Sequence, residues 1–111
     1  MFQKTCQGTV HIISGSDAIT SKSADELNAF LDECLSKGQP RIVLNLEQIP
    51  LLDSAGLTLL LDTSDRCAQR GGLLQLASPN SLCSDILRAT GVGDSFEVFD
   101  NVTDAVRSFA R

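Results

Sequence analysis

The residues best placed to do chemistry in this sequence lie in Ile49-Pro50-Leu51-Leu52-Asp53-Ser54-Ala55-Gly56-Leu57. A serine hydroxyl stands beside a carboxylate and ahead of two small residues, where a hydrophobic strand gives way to a helical pattern. Two roles suit that arrangement. Asp53 or Ser54 can cap the helix, accepting a hydrogen bond from an unpaired first-turn amide and stabilising the helix by about 1 kcal/mol. Alternatively, Ser54 can be a phosphate acceptor, since free amides and the helix dipole favour an anion there. Ala55 and Gly56 leave the hydroxyl open to a large partner. Leu51, Leu52 and Leu57 exceed what a short loop needs for burial and can supply an apolar contact face. A phosphate of charge about −1.5 to −2 beside Asp53 would break such an interface by repulsion and desolvation while sparing the fold.

Little else in the chain suits catalysis. His11 is the only histidine, set beside Ile12 in a β-branched run, and no G-x-S-x-G, P-loop, G-x-G-x-x-G or H-E-x-x-H sequence occurs. It reads as a strand histidine. A phospho-acceptor receiver needs clustered acids at strand ends and a lysine at the end of a later strand. Lys4, Lys22 and Lys37 all precede the central strand, and Asp53 falls in the loop after it. Cys6, Cys34, Cys67 and Cys83 show neither C-x-x-C spacing nor a histidine cluster. Cys34 and Cys67 fall in apolar helical patterns and no signal peptide is read, so all four are expected to be reduced, in a cytoplasmic protein. The expectation is therefore a non-enzyme without catalytic residues, metal or cofactor.

Charge narrows the partners. Nine Lys and Arg against 14 Asp and Glu give a net charge of −5, which repels phosphate backbones and anionic membranes and excludes nucleic acid. Apolar runs such as Leu57 to Leu61 are too short to span a bilayer, so no membrane insertion is expected.

The elements that must position Ser54 follow from periodicity. With 111 residues the chain has room for one domain, over 1–111. Phe2 to Cys6 and Thr9 to Ile13 read as a hairpin turned at Gln7-Gly8. Leu27, Phe30, Leu31, Cys34 and Leu35 mark one buried helix face, stopped by Gly38 and Pro40. Arg41 to Leu46 is a nearly continuous apolar run, the pattern of a strand covered on both faces. A helix follows from Ser54 to about Arg70, with Leu57, Leu60, Leu61, Ser64, Cys67 and Ala68 inward and Asp62, Asp65, Arg66 and Arg70 on a solvated face. Leu73 to Ala77 is the next strand, and Ser78-Pro79-Asn80-Ser81 turns and caps a helix through Ile86 and Leu87 that Gly91 and Gly93 break. Phe96 to Phe99 alternates as a strand. Asn101 or Thr103 then caps a last helix with Val102, Ala105, Val106 and Phe109 inward. Helices alternating with strands imply an α/β layer structure of right-handed crossovers.

Asn45-Leu46-x3-Pro50-Leu51-Leu52-Asp53-Ser54-Ala55-Gly56-Leu57 resembles the D-L-x(4)-F-x-D-S-[SAT]-G-L segment of anti-sigma factor antagonists, the bacterial STAS domains. Gly15-Ser16-Asp17-Ala18-Ile19-Thr20 is similar to the family's G-x-L-D-x-x-T region. Ile86 to Val92 with Phe96 to Asp100 resembles its closing helix and strand. The resemblance implies a STAS-type α/β fold, a small mixed sheet of an N-terminal hairpin plus parallel strands, packed with about four helices. It also implies a switch. The unphosphorylated domain binds an anti-sigma factor, often a serine kinase, and frees the sigma factor. The kinase then spends its own ATP on the serine, ending the complex, and a PPM-type phosphatase restores it. Carried over, Ser54 is the phosphorylation site, Asp53 its acidic neighbour, and Gly56 and Leu57 part of the docking surface. Asp17, Thr20 and Ser81 would lie on the same face. Asn45 stands where the family commonly has Asp, and Ser16 and Asp17 are adjacent where the family places a hydrophobe. The runner-up is a constitutive STAS regulatory subunit of a larger assembly, such as a lipid-transport ABC complex, in which Ser54 only caps the helix.

Overall fold

The computed structural model describes residues 1–36 and 38–110. Lys37, one of the three lysines counted above, lies outside them. The β-branched N-terminal runs pair as β1 (Phe2–Gln7) and β2 (Val10–Gly15), antiparallel, with Gly8 at φ 61° in the connecting turn. From there the chain alternates: α1 (Ala24–Leu35), β3 (Arg41–Asn45), α2 (Ser54–Gln69), β4 (Leu73–Ala77), α3 (Ser81–Thr90), a 3₁₀ turn (Val92–Ser95), β5 (Val98–Phe99) and α4 (Val102–Ser108). Among the described residues the sheet runs in the order β1-β2-β3-β4-β5. Strands β2 to β5 are mutually parallel and β1 alone is antiparallel. This is the expected mixed sheet, each parallel step bridged by a helix.

Sheet periodicity divides the core into two layers. Ile13, Ile42, Leu44, Leu74 and Leu76 point to one face and pack with Leu27, Leu31 and Cys34 of α1, Leu57, Leu60 and Cys67 of α2, and Leu87 of α3. Val10, Ile12, Val43 and Ala77 point to the other, beneath Ala105, Val102 and Val106 of α4 and the nearby Phe99 and Phe109. Ile42, Val43 and Leu44 are all fully buried, because helices cover β3 on both sides. Gln75, a buried amide on the α4 side, accepts a hydrogen bond from Ser108 Oγ at 2.7 Å.

Three expectations change. The inner face of α2 is Gly56, Leu57, Leu60, Thr63 and Cys67. Leu61 and Ser64 are only half-buried, and Ala68 is exposed. Both sets fit a 3.6-residue period, and counting apolar types favoured the face that contains Leu61 over the one that contains Thr63. The strand expected over Phe96 to Phe99 narrows to Val98–Phe99, with Phe96 packed on the core after the 3₁₀ turn. Of the two candidate caps for α4, Asn101 serves, its side chain accepting from the Asp104 amide at 2.8 Å.

Thr63 carries a prediction of its own. Its Oγ1 is buried without a hydrogen-bond partner among the described residues, and an unpaired buried hydroxyl costs about 1–3 kcal/mol of desolvation. Thr63→Val keeps the shape and removes that group, so it is expected to stabilise the fold by about 1 kcal/mol. A urea unfolding midpoint that fails to rise would refute this.

Candidate functional site

Three helices begin where parallel strands end. α1, α2 and α3 follow β2, β3 and β4, so their N-termini gather at one edge of the sheet, the side on which open α/β sheets place their sites. Backbone hydrogen bonds draw the connecting loops together. Ile19 N–H donates to Leu51 O at 3.0 Å and Asp53 N–H to Ile19 O at 3.1 Å, making a short parallel bridge between Ile19 and Leu52. Asn80 Nδ2 donates to Ile49 O at 2.8 Å, tying the start of α3 to the same segment.

Asp53 caps α2. Its backbone is extended, at φ −100° and ψ −174°, and its carboxylate accepts the Gly56 N–H at 3.0 Å. Ser54 is therefore the first helical residue rather than the cap. It is exposed, and its hydroxyl has no hydrogen-bond partner among the described residues. The capping role that the runner-up reading gave to Ser54 belongs to Asp53. Asp53→Ala is thus expected to cost about 1 kcal/mol and Ser54→Ala less than about half that. Paired chemical denaturation measures the contrast, and equal losses would overturn the assignment.

The candidate residues separate by depth. Ala55, Leu51 and Thr20 are half-buried, and Ser81 is exposed on the first turn of α3. Thr20 shapes the α1 entry: its N–H donates to Ser23 Oγ at 3.0 Å and its own hydroxyl accepts from the Lys22 amide at 3.2 Å. Asp17 is exposed, but its carboxylate pairs with the amino group of Met1, beside β1. Leu52 and Leu57 are 3% and 8% exposed and belong to the core, so they underlie the surface instead of forming it. Gly56 is buried too. An ideal Cβ there would stand 2.3 Å from Ile19 O, so glycine is what lets α2 approach the Ile19 loop. Asn45 faces its own loop, its side-chain oxygen accepting from the Glu47 amide at 3.1 Å.

Sequence reasoning passed over Leu82. It is 50% exposed on the first turn of α3, and its lack of an inward partner is not legible from type alone. The site is thus an open, mostly polar edge on which Ser54 starts α2 and Ser81 starts α3, each exposed behind an Asp or Asn cap. An added phosphate would meet the α2 amides favourably and the Asp53 carboxylate unfavourably.

The chain matches the sequence profile described as STAS domain over residues 1–105. The anti-sigma F factor antagonist of Paenibacillus polymyxa is 26% identical over 98 residues, 87% of this chain and 84% of that one. A Thermotoga maritima protein provisionally described as an anti-sigma factor antagonist is 28% identical over 80 residues, 72% of this chain and 71% of that one. A crystal structure from the same organism, under the same description, superposes with a TM-score of 0.92 at 23% identity, covering 99% of this chain and 95% of that one. The anti-sigma factor antagonist SpoIIAA in its unphosphorylated form superposes at 0.83 and 17% identity, covering 99% of this chain and 96% of that one. Its phosphorylated form, from Bacillus, superposes at 0.74 and 17%, covering 98% and 99%. At these identities the structural likeness establishes the shared fold.

Proposed function

This chain belongs to the STAS domain family, and from that premise we propose that it is an anti-sigma factor antagonist switched by phosphorylation of Ser54. Its unphosphorylated form binds an anti-sigma factor that is a serine kinase, and the sigma factor is released. Phosphate transferred from the partner's ATP to the Ser54 hydroxyl ends the complex, and a PPM-type phosphatase reverses the transfer. The chain itself supplies a binding face and an acceptor, and the kinase supplies the chemistry.

The observation that carries this reading is the division of labour at the start of α2. Asp53 caps the helix, so Ser54 is exposed and unengaged at the first helical position. A hydroxyl so placed can be modified without removing anything the fold depends on. The names of the relatives point the same way, as does the record of SpoIIAA in both phosphorylated and unphosphorylated forms. In this reading the partner covers the partly or fully exposed candidates Asp17, Thr20, Leu51, Asp53, Ala55 and Ser81. Gly56, Leu52 and Leu57 act from below by holding that edge in shape.

The test is direct. The chain is incubated with its anti-sigma kinase and ATP, and phosphate is located by peptide mass spectrometry. Modification of Ser54, lost in Ser54→Ala, is expected. Phosphate elsewhere, or none, would refute the switch. It would favour a constitutive STAS subunit, for which a charge at Ser54 leaves partner binding unchanged.

A further inference from the structure

The end of the sheet remote from Ser54 carries an exposed thiol within reach of an imidazole. Cys6 on β1 and His11 on β2 are directly opposite each other in the antiparallel register. Cross-strand neighbours of this kind hold their Cβ atoms about 4.5–5.5 Å apart. Cys6 Sγ and His11 Nδ1 are 3.3 Å apart, within hydrogen-bonding range. Lys4, two residues back on the same face of β1, brings an ammonium whose charge it shares with Glu33.

Access and selectivity set this thiol apart. Cys6 is exposed on the edge strand of the sheet, whereas Cys34, Cys67 and Cys83 are buried. Burial pushes the Cys67 thiol up to about 11, with Cys34 nearby adding to the shift, and burial raises that of Cys83 as well. Both are thereby held toward the protonated, less nucleophilic form.

We propose that Cys6, with His11 as its base, is a thiol–disulfide exchange site that takes up small disulfides as a reversible mixed disulfide. His11 Nδ1 accepts the proton from Cys6 Sγ, with the ring's other proton on Nε2. The thiolate attacks one sulfur of the small disulfide, so a new Sγ–S bond forms and the original S–S bond breaks. The departing thiolate takes the proton back from the imidazolium. Cys6 is oxidised to the mixed disulfide, and one half of the reagent is reduced to a thiol. Excess thiol reverses the step. Because His11 pairs with Ile42 at the start of β3 while Ser54 follows the end of that strand, the added group leaves the Ser54 edge uncovered.

Two probes test the site in the folded chain: glutathione disulfide followed by intact and peptide mass spectrometry, and a chromogenic aryl disulfide for rates at pH 7. One equivalent is expected, on Cys6, and absent in Cys6→Ser. His11→Gln is expected to slow the reaction roughly tenfold with circular dichroism unchanged. The wild-type Cys6 rate is expected to fall by a similar factor when the chain is unfolded in denaturant, a comparison that needs no variant. A wild-type rate in folded His11→Gln, an unfolded chain as fast as the folded one, or modification of a different cysteine would each overturn the proposal.

Discussion

Ser54→Asp is expected to weaken binding to the anti-sigma partner by roughly 30-fold or more, about 2 kcal/mol, while the stability of the free chain changes by less than about 0.5 kcal/mol. The two halves of this expectation have separate causes. In the free chain, position 54 is exposed on the first turn of α2, where a carboxylate gains from the helix dipole and loses to the adjacent Asp53, terms of a few tenths of a kcal/mol each in water. In the complex the same charge is covered. It loses solvent and stands next to a second carboxylate, and an unpaired charge buried at an interface costs about 2–5 kcal/mol. Ser54→Ala removes the acceptor without adding charge, so it should bind as wild type does and resist inactivation by ATP. Titration calorimetry with the purified partner distinguishes the three proteins. Equal affinity for wild type and Ser54→Asp would remove the electrostatic basis of the switch, whatever mass spectrometry finds at Ser54.

How far the sequence could reach is clear from α2. The turn from strand to helix and the serine within it were legible from residue types, because Asp and Ser cap helices and apolar runs make buried strands. Which of two adjacent capping types would take the cap was not. That choice rests on the extended backbone of Asp53, held by the hydrogen bond its N–H donates to Ile19 O, a partner 34 positions earlier in the chain. The same distant contact explains the leucines. A leucine-rich loop reads as surplus apolar surface, yet with the Ile19 segment laid over it Leu52 and Leu57 become core. Burial here depends on a pairing between two loops, and neither loop has a periodicity that announces it. The hairpin and crossovers, in contrast, follow local patterns, and there the structure moved boundaries by only a residue or two at β1 and β2.

The Ile19 contact also makes Gly56 the most sensitive position of the site. Gly56→Ala is expected to destabilise the chain by about 2 kcal/mol, although an alanine inside a helix gains about 1 kcal/mol over glycine from propensity alone. The added Cβ would stand 2.3 Å from Ile19 O, 2.9 Å from Ile19 Cγ2 and 3.1 Å from the Ile19 carbonyl carbon. The carbonyl oxygen cannot swing aside as a flexible side chain would, because it accepts the Asp53 amide, and Ile19 is itself fully buried. Relief therefore requires the loop and the helix to separate, and overpacking of this kind costs about 3 kcal/mol, more than the propensity gain returns. For a chain of this size the net loss corresponds to roughly 8–15 °C in Tm. Hydrogen exchange adds a local readout: the Ile19 and Asp53 amides, which bond across that gap, should exchange faster in Gly56→Ala than in Ser54→Ala. If Gly56→Ala proved as stable as wild type, with both amides still protected, the close approach of α2 to the Ile19 loop would not be what positions Ser54.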